Sequence, residues 1–103
     1  LQEMEWQGFV SQAKKEIRMC DELIITGDGL FMKMNGHLIE YKKWGEYLRR
    51  RVDGKGHELI LQQVKSAAFE TVLQGVRIYV SDIYGQSYSV LIRTPVKGNS
   101  DDT

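Results

Sequence analysis

The sequence contains few of the residues on which metal sites, disulfide frameworks and membrane spans depend. Its 103 residues include one cysteine, Cys20, and two histidines, His37 and His57. A single cysteine excludes an internal disulfide and a thiolate zinc site, and neither histidine has a second ligand at metal-binding spacing. No apolar run approaches the roughly 18 residues of a membrane-spanning helix. We therefore expect no metal, no cofactor and no membrane partner, and the lone thiol favours an intracellular, cytoplasmic protein.

Neither sign of charge is in excess. Fourteen basic and fourteen acidic residues cancel, whereas a dedicated duplex-DNA binder is usually basic overall. The glycine loops that cradle phosphates and the GxSxG nucleophile motif are both missing. Hydrophobic residues make up 42% of the chain, which suits one modest globular core. We predict a single domain over residues 1–96 and a disordered tail over residues 97–103.

Helical periodicity runs through two long segments. Residues 4–22 place a continuous apolar stripe on one face, made of Trp6, Phe9, Val10, Ala13, Ile17 and Cys20. Residues 56–75 (GHELILQQVKSAAFETVLQG) do the same through Leu61, Val64, Ala68 and Val72, and Gly75 follows where a C-terminal cap favours glycine. The sequence predicts an N-terminal and a central amphipathic helix, and a short third helix over residues 44–52.

Turn residues predict two hairpins. Asn35-Gly36 is the preferred pair for a two-residue type I′ turn, because both positions require positive φ. Counting outward from that turn pairs Met34 with His37, Met32 with Ile39, and Leu30 with Tyr41. A three-residue loop over residues 83–85 similarly pairs Val80 with Tyr88, Ile78 with Val90, and Val76 with Ile92. Each pairing collects apolar side chains on one face.

These elements predict an α+β fold. The order is helix, strand (residues 23–26), hairpin, short helix, helix, hairpin. Two hairpins with one apolar face each need cover, which the two amphipathic helices supply. The expected architecture is an antiparallel sheet of two hairpins plus a short strand, covered on one face by the N-terminal and central helices.

A basic and aromatic segment, residues 41–55 (YKKWGEYLRRRVDGK), stands out from the otherwise mixed surface. Cations for phosphates and flat rings for bases together suit single-stranded DNA or RNA. The candidate binding residues are Lys42, Lys43, Trp44, Tyr47, Arg49, Arg50 and Arg51. The alternative is that the aromatic rings anchor this segment on the core while the arginines form a solvated rim or contact an acidic protein.

Apolar residues on the second face of each hairpin indicate a protein interface. Phe31 and Leu38, and Tyr79 and Leu91, would lie away from the helices, and the strand ending at residue 92 has few charges to discourage pairing. Our preferred hypothesis is a non-enzymatic interaction or regulatory module that binds a protein partner, or itself as a homodimer, through a sheet face or edge. Nucleic-acid binding is the alternative.

A small metal-independent nuclease is a third hypothesis. A general base, a general acid and a cation could come from His37, His57 and one of the arginines at 49–51, if folding brought them together. Both histidines lie next to glycines, as in ordinary turns. We therefore assign no catalytic residue.

Overall fold

Residues 1–94 form one helix and eight strands, which make two antiparallel sheets. A computed structural model describes residues 1–94, so the predicted tail at 97–103 lies outside the described residues. The helix α1 spans Glu3–Met19. The strands are β1 (Glu22–Ile25), β2 (Gly29–Met34), β3 (His37–Trp44), β4 (Tyr47–Val52), β5 (Lys55–Gln62), β6 (Val64–Val72), β7 (Gly75–Asp82) and β8 (Ser87–Arg93).

The N-terminal helix confirms its predicted face. Every apolar residue of the predicted stripe is buried, and Ala13 and Ile17 are fully so. Cys20 ends the stripe as a small buried hydrophobe, as its position on the apolar face predicts. The helix gains its stability from this stripe, since an isolated helix of this length is marginal in water.

Strands β1 to β5 form a five-stranded sheet in which every neighbour in sequence is a neighbour in space. Asn35 and Gly36 have φ values of 53° and 79°, as a type I′ turn requires. The register between β2 and β3 is the predicted one, with Met32 opposite Ile39 and Leu30 opposite Tyr41. The first hairpin is therefore confirmed residue by residue.

Strands β6, β7 and β8 form the second, three-stranded sheet. Gly85 has a φ of 86° in the three-residue loop, and Val80 lies opposite Tyr88 as predicted. The Asp82 carboxylate accepts hydrogen bonds from the backbone N–H groups of Tyr84 and Gln86, both at 2.9 Å. Burial raises the pKa of Asp82, but the Gln86 hydrogen bond, the contact with the Leu1 amino group at 3.2 Å and the Tyr84 hydrogen bond together outweigh burial and leave the pKa below its ordinary value.

The predicted central helix over residues 56–75 is wrong. This segment forms β5 and β6, joined at Gln63, whose φ of 60° turns the chain from one sheet into the other. The Asp53-Gly54 pair before it, with φ values of 56° and 72°, is a second hairpin turn that places β5 beside β4. Pairing with β4 and β7 gives the segment its ladder of hydrogen bonds, and this long-range pairing overrides the helical spacing of its apolar residues.

The short helix predicted over residues 44–52 is also wrong. Trp44 is the last residue of β3 and Tyr47 the first of β4, because Gly45 (φ 59°) and Glu46 make a two-residue turn. The α+β class and the antiparallel pairing are confirmed. The predicted single sheet, covered by two helices, is replaced by two sheets and one helix.

The core lies between α1 and the inner faces of the two sheets. The first sheet contributes Leu30, Met32, Ile39, Tyr41, Leu48 and Leu61. The second contributes Phe69, Val76, Ile78, Val80 and Ile92. Side chains alternate along a strand, so each sheet also has an outer face that points away from this core.

Candidate functional site

The outer face of the five-stranded sheet carries an unusual number of exposed apolar side chains. Four of them span the sheet from β1 to β5: Ile24 (38% exposed), Leu38 (36%), Trp44 (45%) and Leu59 (40%). The half-buried Phe31 lies opposite Ile24 and extends the patch. We call this set the outer patch. A sheet face with this much exposed apolar surface is typical of a binding surface.

An aromatic cluster occupies one end of the outer patch. The Trp44 ring meets the edge of His57 with ring centres 4.4 Å apart and lies 6.2 Å from Tyr47. The Arg49 guanidinium lies 5.1 Å from the centre of the Trp44 ring, which is a cation–π contact. Arg49 Nη1 and His57 Nδ1 are 3.5 Å apart. These contacts hold an aromatic surface and a cation side by side at the end of the sheet.

Most charges that share this face are matched by a neighbour of opposite sign. Lys33 pairs with Glu22 at 3.3 Å, and Arg51 pairs with Glu40 at 3.1 Å. Lys42 approaches Asp28 at 3.9 Å. Arg49 makes no ion pair within residues 1–94, so it is the cation of this face that an incoming carboxylate or phosphate meets first.

Arg50 points to the opposite side of the sheet, where it attaches α1. Its Nε lies 3.1 Å from both carboxylate oxygens of Glu16, and its Nη1 lies 3.2 Å from Glu58. The Tyr41 hydroxyl donates to the same Glu16 carboxylate. The hydrogen bond to Glu16 raises the pKa of Arg50. The pKa of Tyr41 is raised mainly by burial and to a smaller extent by the hydrogen bond to Glu16. Arg50 is therefore a structural residue and not part of an exposed basic surface.

The structure thus divides the basic segment predicted from the sequence. Lys42, Trp44, Tyr47, Arg49 and Arg51 share the outer face. Lys43 and Arg50 belong to the other face by strand alternation, and the Lys43 amine donates to the carbonyl of Gly45. The segment does not form one continuous basic surface.

The four predicted interface residues lie on outer faces, but on two different sheets. Phe31 and Leu38 belong to the outer patch, whereas Tyr79 and Leu91 lie on the outer face of the three-stranded sheet. Tyr79 is 42% exposed and donates to Glu70 at 2.9 Å. The hydrogen bond to Glu70 raises the pKa of Tyr79. The residues therefore mark two surfaces rather than one.

The two histidines of the nuclease hypothesis are not brought together. His57 lies on the outer face against Trp44, while His37 shares the strand alternation of the inward-facing Ile39. His37 Nδ1 contacts the Asp53 carboxylate at 2.8 Å. That hydrogen bond lowers the pKa of Asp53, and a second hydrogen bond, donated by the Leu38 N–H, lowers it further. His37 therefore serves the Asp53-Gly54 turn, and the proposed acid–base pair does not exist.

Residues 1–94 hold neither a metal centre nor a membrane-spanning helix. No group of three or more histidine, cysteine, aspartate or glutamate side chains is arranged to hold a metal ion within residues 1–94. In the same range, no helix has the length and apolar character needed to cross a membrane. The cytoplasmic location expected from the sequence stays a prediction.

Comparison with known protein families supplies an assignment. A family model described as "Putative Competence protein ComGF" matches residues 1–88. The chain belongs to the ComGF family. No curated protein and no solved structure matches it. The region matched by the ComGF model covers α1, the whole five-stranded sheet and its outer patch, so the patch lies entirely within the part shared with the family.

Sequence reasoning missed Ile24 and Leu59, which it assigned to a short strand and to the central helix. It considered His57 only for the nuclease hypothesis and not as part of a binding surface. The Asp53-Gly54 dipeptide was a usable signal, because such a pair between two strands predicts a hairpin. A hairpin there would have identified residues 55–62 as a strand beside β4, although only the register shifts between these strands place Leu59 opposite Arg49.

Proposed function

We propose that this ComGF-family chain is a non-enzymatic subunit of a competence apparatus of the pseudopilus type, which binds another protein through its outer patch. The observation that carries the proposal is the set of exposed apolar residues on one face of the sheet, contributed by β1, β3 and β5 and extended by Phe31 of β2. Apolar area on this scale is costly to leave in water, and burying it against a partner returns about 25 cal/mol per Å². The runner-up function is treated below.

The chemistry of the patch describes the partner. Its apolar part, made of Ile24, Phe31 and Leu38, suits an apolar surface. Its end at Trp44 and Arg49 suits an acidic group, because Arg49 has no carboxylate partner within the described residues and its guanidinium lies over the Trp44 ring. Partners of aromatic and arginine hot spots are typically apolar with a polar rim. We therefore propose a protein partner with an apolar centre and an acidic edge.

Transformation frequency in a competent host tests the assignment and the surface separately. Deleting the gene should abolish or strongly reduce transformation. Replacing the chromosomal gene by a Leu38→Ser/Leu59→Ser variant should reduce it similarly, because both changes remove apolar area from the patch without touching the core. The matched control is Leu73→Ser, at a turn residue that is 81% exposed and lies outside the patch.

Each outcome of that experiment has one meaning. Unchanged transformation after gene deletion would contradict the competence role. Normal transformation in the patch variant, at normal protein level, would contradict the outer patch as the binding surface while leaving the competence role intact. A photo-crosslinker at position 59 should also capture a component of the apparatus, and one at position 73 should not.

Binding of single-stranded nucleic acid is the second candidate, and the aromatic cluster is the observation that favours it. Trp44 and Tyr47 offer stacking surfaces beside Arg49. Two other arginines of the segment are already occupied by Glu16 and Glu40. This leaves few free cations for phosphates, so we place this function second.

A salt series with labelled single-stranded DNA and RNA tests the second candidate. The informative variant is Trp44→Ala/Arg49→Glu, because changing Arg50 would also detach α1. If nucleic acid binds here, the variant should lose affinity, and wild-type log K should fall with log salt by about 0.7 for each neutralised phosphate. Equal binding by the variant and the wild type would rule this site out.

A further inference from the structure

The three-stranded sheet ends in β8, and half of the backbone of this strand faces away from the sheet. Asp82 N donates to Gln86 O at 2.9 Å, and Thr94 N donates to Gln74 O at 2.8 Å. The register between β7 and β8 is continuous, and alternate residues of an antiparallel strand direct their N–H and C=O groups to opposite sides. These two bonds therefore show that the even-numbered residues of β8 hydrogen-bond to β7. The N–H and C=O groups of Ser87, Ser89, Leu91 and Arg93 therefore point outward, and no strand covers them within residues 1–94.

Helix α1 contacts β8 on its inner face, where the rings of Trp6 and Tyr88 lie 5.4 Å apart, but the outward backbone of β8 lacks the protections of the other edge strands. Strand β5 has two register shifts, and the N–H of Gln62 is bonded to the Glu5 carboxylate at 2.9 Å. The edge of β6 is met by the turn between β1 and β2, since Phe69 N donates to Gly27 O at 3.2 Å. Strand β1 has only four residues. Irregular pairing, charges, short length and cover are the usual protections of sheet edges.

Strand β8 has no charged residue from Ser87 to Ile92. Ser87 and Ser89 are exposed, and their small side chains border a shallow hollow of about 310 Å³ on the outer face of the sheet. Its lining also includes Tyr79, Ser66 and Ser81. A bulky side chain brought alongside Ser87 would find room there, with the Tyr79 ring as its neighbour.

We propose that β8 pairs antiparallel with β8 of a second copy of this chain, with Ser89 opposite Ser89. This register places Leu91 of the second copy opposite Ser87, beside the hollow, and the reverse holds across the two-fold axis. Arg93 then lies opposite Gly85 of the second copy, so no like charges face each other. The outward backbone groups of Ser87, Ser89 and Leu91 in both strands satisfy one another, and the two sheets become one six-stranded sheet.

The proposed contact is independent of the outer patch, because it uses the edge of the other sheet. Pairing along one strand buries less area than the roughly 1,200 Å² of a standard stable interface. The dimer should therefore be reversible and concentration-dependent, and any other protein strand of similar character would compete for the same edge.

Sedimentation equilibrium with charge variants at Ser89 tests both the dimer and its register. Wild type should dimerise measurably at protein concentrations up to about 1 mM, the range in which weak association is detected. Ser89→Lys alone and Ser89→Glu alone should each weaken dimerisation by about tenfold or more, because two like charges then lie directly opposite each other. An equimolar mixture of the two should restore association as a heterodimer.

Two further variants distinguish a loss of dimerisation from a loss of folded structure. Ser89→Pro removes an outward N–H that β7 does not use, so it should abolish the dimer with little change in circular dichroism. Ser89→Ala keeps that N–H and should still dimerise. Wild type that remains monomeric throughout the concentration range would overturn the proposal. Failure of the Ser89→Lys and Ser89→Glu proteins to associate with each other would overturn the register.

Discussion

The contact of Glu16 with Tyr41 and Arg50 is the polar attachment of the helix to the sheet, and replacing Glu16 tests it. Tyr41 is fully buried, and the Glu16 and Arg50 side chains are only 14% and 19% exposed. Glu16→Ala leaves the buried Tyr41 hydroxyl without its acceptor, which costs about 1–3 kcal/mol. It also removes a charged hydrogen bond to Arg50, worth about 1–2 kcal/mol once residual solvent access and the remaining Glu58 contact are allowed for.

Together these losses should lower the free energy of unfolding by about 2–5 kcal/mol. For a domain of this size, 1 kcal/mol corresponds to a shift of about 4–8 °C in Tm, so Tm should fall by roughly 8–40 °C. Urea unfolding followed by tryptophan fluorescence gives the free energy directly. The matched control is Glu58→Ala, which removes the exposed partner of the same arginine and should cost at most about 1 kcal/mol.

A double-mutant cycle measures the contribution of the Tyr41 hydroxyl to this contact. Tyr41→Phe removes the group that Glu16→Ala would leave unsatisfied, so the double variant should lose less stability than the sum of the single variants by about 1 kcal/mol or more. Strict additivity would refute the coupling between Glu16 and Tyr41. A Glu16→Ala protein as stable as Glu58→Ala would refute the whole argument.

Three further predictions concern turns and close contacts. Gln74 has a φ of 56°, so Gln74→Gly should raise the free energy of unfolding by about 0.5–1 kcal/mol in a urea titration, and a loss of stability would contradict this. Gly75→Ala would place Cβ 2.3 Å from the Ile92 carbonyl oxygen and should lower Tm through a cost of about 1–3 kcal/mol, whereas an unchanged Tm would show that the strands can separate freely. The folded-state pKa of Asp53 is lowered below its ordinary 3.8, so its stabilisation is present above that pH and is lost as the pH falls further. Asn tolerates the same turn conformation, so the Asp53→Asn protein should have a lower Tm than wild type at pH 7, and this difference in Tm should narrow below pH 3.8. A difference in Tm that does not depend on pH would contradict a stabilising role of the Asp53 carboxylate.

The elements that sequence reasoning recovered are those specified by neighbours in the chain. The α1 stripe follows from 3.6-residue periodicity alone, and the Asn35-Gly36 turn sets the β2–β3 register because both of its positions require positive φ. In the same way, Gly85, with its positive φ in the loop before β8, sets the register between β7 and β8. In each case the decisive interaction lies within a few residues, so it can be read from the local sequence.

The site could be predicted only in part. Phe31 and Leu38 were assigned to an outer face through the hairpin register, and both belong to the outer patch. Arg50 was misassigned because its partner, Glu16, lies on α1, far away in sequence and with no pattern that links the two. The contact of His57 with Trp44 and the outer-face position of Leu59 were not predicted, because their segment was taken for a helix.

What the sequence by itself determined is the amphipathic α1, the first and last hairpins with their registers, and the absence of any nucleotide or nucleophile motif. These follow from local periodicity and from turn residues whose backbone requirements are specific. Only the tertiary structure decided that residues 56–75 are strands, that Gln63 turns the chain between two sheets, and that neighbouring arginines face opposite sides of β4. The physical reason is that strand hydrogen bonds and ion pairs are made with distant partners, so an apolar spacing compatible with both helix and strand is resolved only when those partners are present.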